Sequence, residues 1–114
     1  MNSKPRVLIA GIGGASLGTE IAKCLVLAGR YEIFGCDISS FAFGHYQEGF
    51  RETFLADEDD YIGSVLDVCR KKEIRYIIPG AEQPLILLCE AEKAIEAEGI
   101  KLVTNSISIV HDFT

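Results

Sequence analysis

The sequence is short of positive charge, of long apolar runs and of clustered cysteine. Its 114 residues hold 11 Lys and Arg against 17 Asp and Glu, a formal charge of −6 with both histidines neutral. An acidic chain with scattered cations offers no footprint for nucleic acid or an anionic membrane. No apolar stretch approaches the roughly 20 residues of a membrane span. Met1-Asn2-Ser3-Lys4 opens without the apolar core of a signal peptide. The cysteines, Cys24, Cys36, Cys69 and Cys89, are widely spaced with no C-x-x-C pair, which argues against a zinc site or a thioredoxin-type dithiol. Cys24 and Cys69 fall on apolar helical stripes and read as small buried hydrophobes. Free thiols throughout point to a reducing, cytoplasmic compartment. There is no internal repeat, linker or low-complexity tract, no P-loop G-x-x-x-x-G-K-[ST], and no Tyr-x-x-x-Lys pair.

What is present is a chain of ordinary globular composition, 48% hydrophobic and 25% charged, long enough for one domain with one core. Its organising stretch is Arg6 to Gly18. Val7 to Ala10 is a short apolar run bounded by Pro5 and by glycines, the mark of a buried strand. Gly11, Gly13, Gly14 and Gly18 then turn the chain into a helical pattern, with Leu17, Ile21, Cys24, Leu25 and Ala28 on one face. Strand, glycine turn and helix make the first half of a βαβ unit, with a helix N-terminus at the carboxyl end of a central strand. Gly11-x-Gly13 fits the first two glycines of a dinucleotide fingerprint, but Ser16 stands at the third. Asp37, after the next strand, is placed for the ribose-binding acid. The same glycines serve equally well as a tight βα turn.

The rest of the chain alternates. Strands are expected near residues 6–10, 31–36, 53–55, 75–78 and 101–103. Helices are expected to about Ala28 before the C-cap Gly29, from Asp57 to about Lys72, from Leu85 to about Glu98, and over Ser106–His111. Asp57 to Asp60 complement the second helix's dipole; a hard-cation loop would need alternating ligands with glycine. This pattern predicts an α/β fold, a Rossmann-like open parallel five-stranded sheet of order 3-2-1-4-5 with helices on both faces. The loop from Ile38 to Phe50 breaks the alternation. Its Phe41, Phe43, Tyr46 and Phe50 either fold back over the sheet edge or form a docking surface, and His45 among them is weak evidence for chemistry. Gly11, Gly13, Gly14, Ser16, Asp37, Glu82 and Gln83 are the candidate ligand-binding residues, because each closely follows a predicted strand. Glu82 fits a solvated acid near a helix start as well as it fits a ligand contact.

Three stretches together resemble a known family: Val7-Leu8-Ile9-Ala10-Gly11-Ile12-Gly13-Gly14, then Gly35-Cys36-Asp37-Ile38-Ser39-Ser40, and above all Ile77-Ile78-Pro79-Gly80-Ala81-Glu82-Gln83-Pro84-Leu85. They resemble the N-terminal, pre-ATP-grasp domain of ATP-grasp ligases, in particular carbamoyl-phosphate synthase large-chain-like proteins. Lys101-Leu102-Val103-Thr104-Asn105 resembles the strand that leads into the ATP-grasp domain. The resemblance implies that residues 1–114 form a single pre-ATP-grasp domain, the N-terminal part of a longer carboxylate–amine ligase that works through an acyl phosphate. It implies that this domain walls a small-molecule substrate cleft, holds no catalytic or metal-ligating residue, and is not catalytically complete alone. ATP and Mg²⁺ would be bound mainly by a C-terminal ATP-grasp domain missing from this chain, with no cofactor expected for the chain itself and self-association as a way to cover the exposed rings. The competing reading is an NAD(P)-binding Rossmann module of an oxidoreductase. A receiver-type module is disfavoured, because the first strand ends in glycine and Thr104 and Asn105 follow the fifth.

Overall fold

The computed structural model of the protein describes residues 4–13 and 17–104. In chain order these residues form β1 (Arg6–Ala10), α1 (Leu17–Ala28), β2 (Glu32–Asp37), a 3-10 turn (Phe43–Tyr46), β3 (Glu52–Leu55), α2 (Tyr61–Lys72), β4 (Tyr76–Pro79), α3 (Glu82–Glu90), α4 (Glu92–Ala97) and β5 (Lys101–Leu102). The sheet is wholly parallel with the order β3-β2-β1-β4-β5. This is the predicted Rossmann-like topology, with β1 at the centre.

Alternation along the strands divides the core in two. Leu8 and Ala10 of β1, Phe34 and Cys36 of β2, and Ile77 of β4 face a layer built from α2, α3 and α4, through Val65, Leu66, Cys69, Leu88 and Ile95. Val7, Ile9, Ile33 and Ile78 face the other way, onto Ile21, Ala22 and Leu25 of α1. Both faces of β1 are therefore covered, which is why its sequence is a continuous apolar run. Burying each such side chain fully stabilises the fold by about 1.5–3 kcal/mol.

The structure corrects two local expectations and resolves an open alternative in the long loop. The segment expected as one helix from Leu85 to Glu98 is two helices broken at Ala91, whose φ of −103° and ψ of 13° leave the helical region. Buried Leu88 and Ile95 keep helical spacing across the break, so the apolar pattern concealed it. The acids Asp57 to Asp60 precede α2 instead of opening it. Asp60 is the N-cap, accepting from the Gly63 amide at 3.2 Å, while Asp57 accepts from the Asp59 amide at 2.9 Å in an Asx turn. The ring-bearing loop divides its rings. Phe50 packs over Gly35 onto the α1 side of the core, whereas Phe41, Phe43 and Tyr46 stay exposed. The helix expected over residues 106–111 lies outside the described residues. Among the described residues no helix is long and apolar enough to cross a membrane.

Candidate functional site

The glycine turn after β1 is locked to its neighbours by backbone contacts. Gly11, at φ +105°, takes a conformation that favours glycine, and its amide donates to the Cys36 carbonyl at 2.9 Å. The Gly80 amide, after β4, donates to the Ala10 carbonyl at 2.7 Å, and the Gly18 amide at the start of α1 donates to the Gly80 carbonyl at 2.9 Å. The Gly44 amide in the long loop donates to the Ile12 carbonyl at 2.7 Å. Three loops at the carboxyl ends of β1, β2 and β4 are thus drawn together.

Asp37, the last residue of β2, sits at their junction. One carboxylate oxygen, Oδ2, accepts from the Ile12 amide at 2.9 Å, and the other, Oδ1, accepts from the Ser39 amide at 3.0 Å. The Asp37 carbonyl accepts from the Ala56 amide at 2.8 Å, which ties in the end of β3. A side-chain atom added to Gly13 would lie 3.6 Å from Oδ2, so Gly13 flanks the same carboxylate. His45 extends the network. Its Nε2–H donates to the Ser39 carbonyl at 3.0 Å, which leaves Nδ1 in the neutral ring to accept from the Thr53 hydroxyl at 2.8 Å. His45 therefore pins the loop to β3.

A cleft of about 550 Å³ opens over this junction, lined by Gly11, Asp37, Ile38, Glu58, Tyr61, Ala81, Gln83, Pro84 and Leu87. Asp37 and Glu58 are its charged groups; no Lys, Arg or His stands among the described lining residues. Tyr61, only 8% exposed, forms part of the wall. Its hydroxyl is sealed from solvent without a nitrogen or oxygen partner among the described residues, and its polar neighbour is the Cys36 thiol. Burial raises the Tyr61 phenol above its ordinary range, and the nearby Cys36 and Asp37 add to the shift. Burial likewise pushes the Cys36 thiol up to about 12, so both groups are neutral at physiological pH.

The structure brings Gly11, Asp37 and Gln83 of the candidate residues to the cleft wall, with Gly13 alongside. Glu82 lines a neighbouring recess of about 380 Å³ with Leu17, Gly80, Leu85 and Thr104. Glu82 and Gln83 are consecutive on α3, and a helix turns consecutive residues onto different faces. Gly14 and Ser16 lie outside the described residues. Sequence reasoning missed Glu58 and Tyr61. The available signal was that both flank the start of α2, at the carboxyl edge where ligands enter open parallel sheets.

Over residues 7–103 the sequence matches the family described as PylC-like, N-terminal domain. The chain belongs to that family. No curated protein matches it significantly. Among solved structures, the chain is similar to glycinamide-RNase-transformylase T from Mycobacterium tuberculosis, with a TM-score of 0.67 at 18% identity over 91% of this chain and 30% of that one. It is similar to N5-carboxyaminoimidazole synthetase from Staphylococcus aureus complexed with ADP, with a TM-score of 0.56 at 21% identity over 93% of this chain and 25% of that one. It is similar also to dTDP-glucose 4,6-dehydratase from Bacillus anthracis in complex with NAD, with a TM-score of 0.61 at 17% identity over 86% of this chain and 36% of that one. At these identities the likeness is one of fold. This PylC-like domain spans about a third or less of the first of these structures.

Proposed function

We propose that the chain is the substrate-cleft N-terminal domain of an ATP-dependent carboxylate–amine ligase and is not catalytically complete alone. The observation that carries this reading is the family match across residues 7–103, nearly the whole described chain. The fold shared with glycinamide-RNase-transformylase T and N5-carboxyaminoimidazole synthetase supports it. A finer likeness, to carbamoyl-phosphate synthase large chains, rests on the sequence stretches Val7–Gly14, Gly35–Ser40 and Ile77–Leu85. In this reading ATP and Mg²⁺ are held mainly by an ATP-grasp domain beyond these residues, in a cytoplasmic enzyme acting on small molecules.

Among the described residues the cleft offers a nucleotide no cation. Phosphates are held by cations and by free amide groups. Here the amides of Gly11, Ile12 and Gly18 are spent within the fold, and the charged lining groups are the carboxylates Asp37 and Glu58. Those carboxylates suit the amine partner of the reaction. A protonated amine is drawn to them, and Pro84, Leu87 and Ile38 offer its carbon skeleton an apolar wall.

A second reading, an NAD(P)-binding oxidoreductase module, is favoured by the fold shared with a dehydratase in complex with NAD. Ser16 weighs against it, since it stands where the third position of the fingerprint prefers Gly or Ala.

The test is an assay of the natural gene product that carries these residues, with a panel of amines and carboxylates. ADP release that requires one of each supports the ligase reading. Hydride transfer from NADH without ADP release would replace it with the second.

A further inference from the structure

We propose that the open edge of β3, with the ring-bearing loop beside it, is an interface between two copies of this chain, which pair strand to strand about a two-fold axis. β3 (Glu52–Leu55) is the outermost strand on its side of the sheet. β2 pairs with one edge of it in parallel, and no described strand pairs with the other. An uncovered strand edge is a template for a further strand. The other outermost strand, β5, is only two residues long, and the last described residue, Thr104, follows it at the opposite end of the sheet.

Apolar surface adjoins that edge. His45 bonds the Thr53 hydroxyl at 2.8 Å, which fixes the loop beside β3. Thr53 and Leu55 stand two residues apart on the strand and so project to the same face. Leu55 is exposed there, as are Phe41, Phe43 and Tyr46 of the loop. The open edge thus carries an apolar margin on the face that holds the loop. Strand pairing would supply main-chain hydrogen bonds, and the margin would supply apolar area beside them.

Charge selects a second copy as the occupant and fixes its register. In a two-fold contact the same surface meets itself, so each cross-pair occurs twice. An antiparallel pairing centred on Phe54 sets Arg51 of each copy opposite Asp57 of the other, with Thr53 opposite Leu55 and Glu52 opposite Ala56. Opposite charges directly across two strands attract, and like charges repel. Centring the pair between Phe54 and Leu55 would set Glu52 against Asp57, and centring it between Thr53 and Phe54 would leave Arg51 facing Ala56. Both members of the favoured pair are available. Arg51 is exposed and reaches Glu32 only at 3.5 Å. One oxygen of Asp57 accepts from the Asp59 amide, and the other has no partner among the described residues. Glu52 is taken up by Lys72 of its own copy at 3.1 Å, so its charge does not guard the edge. The inference stands apart from the ligase reading, and an active ligase that is strictly monomeric would overturn the inference alone.

The test is sedimentation equilibrium of the wild-type chain, of Arg51→Asp, of Asp57→Arg, and of an equal mixture of the two variants. The wild type is expected to dimerise. Each variant alone sets like charges opposite each other at both ends of the strand pair, and its dimer should be weaker by about ten-fold. In the mixture every such pair meets unlike charges again, so the two variants should associate with each other about as tightly as the wild type does with itself. A wild type that is monomeric at every concentration overturns the proposal. So do variants that dimerise as well as the wild type, or a mixture that associates no better than its components, because an apolar patch alone would not distinguish these charges. If Asp57→Arg does not fold, hydrogen exchange of the wild type decides. Exchange over residues 52–55 that slows as the chain concentration rises supports the proposal, and exchange there that is independent of concentration overturns it.

Discussion

Gly18 and Gly80 meet backbone to backbone. The Gly18 amide donates to the Gly80 carbonyl at 2.9 Å, and a side-chain carbon on Gly18 would stand 2.0 Å from the Gly11 carbonyl oxygen and 3.1 Å from the Gly80 α-carbon. On Gly80 it would stand 2.3 Å from the same oxygen and 2.6 Å from the Gly18 α-carbon. Both obstacles are backbone and cannot rotate away. α1 can start over β1, and the turn after β4 can reach it, only because both positions are glycine.

Gly18→Ala and Gly80→Ala should therefore each destabilise the domain by about 3 kcal/mol, at or above the upper end of ordinary overpacking. Urea denaturation measures this through the shift in midpoint. Gly29, where an added carbon meets nothing within 4 Å, is the comparison. Its positive φ of 67° makes Gly29→Ala cost only about 1 kcal/mol. Equal losses at Gly18 and Gly29 would mean that the close approach does not matter.

The thiols set an alkaline limit to stability. Burial pushes Cys36 and Cys69 from 9.0 to about 12 each. The folded chain therefore holds these protons more tightly than the unfolded chain. The resulting stabilisation is complete below pH 9 and is lost as pH rises from 9 toward 12. The unfolding free energy should fall by about 1.4 kcal/mol per pH unit for each thiol in that window. Denaturation at several alkaline pH values, on the wild type and on Cys69→Ala, checks the slope. The variant should be flatter, and identical slopes would contradict the assignment. Exposed Cys89 should react with a thiol reagent well before Cys36 and Cys69.

How far the sequence carried is visible in particular residues. The sheet order was legible because the central strands are short apolar runs and three of the four connections are helical, which leaves few right-handed arrangements. Gly29 and Gly99 were legible as helix ends, and both have positive φ. Glu73 was not legible; it closes α2 in a left-handed conformation at φ 54° that a glutamate does not advertise. Ala91 breaks a helix with no capping side chain to reveal it. At the site, the place of Asp37 could be read from its strand, but its partners could not. Ile12 lies 25 residues away, and a backbone amide leaves no trace in the sequence. Tyr61 and Glu58 reached the cleft through the path of α2, which only the packing of Val65, Leu66 and Cys69 on the sheet determines.

The exposed rings carry the next prediction. Phe41 is 89% exposed, Tyr46 75% and Phe43 56%, a grouping of apolar surface on one loop beside Leu55 at 60%. Such a patch favours association. The isolated chain is expected to show an average mass that rises with concentration in light scattering. Phe41→Ser combined with Phe43→Ser should bring it toward the monomer without changing the unfolding free energy from urea denaturation by more than about 0.5 kcal/mol, since surface changes rarely exceed that. A wild type that stays monomeric at all concentrations would show that the patch needs no cover. The apolar residues Ile107, Ile109, Val110 and Phe113 lie outside the described residues and play no part in this expectation.

The most direct test of the account is calorimetric titration of the chain with NADH. The proposed role is that of a substrate-cleft domain of a ligase and not of a dinucleotide binder, in keeping with a cleft whose described charged groups, Asp37 and Glu58, are both acidic. The predicted result is no measurable heat of binding. A Kd near 1 μM, about −8.2 kcal/mol of binding free energy, would contradict the claim and make the chain a dinucleotide-binding module.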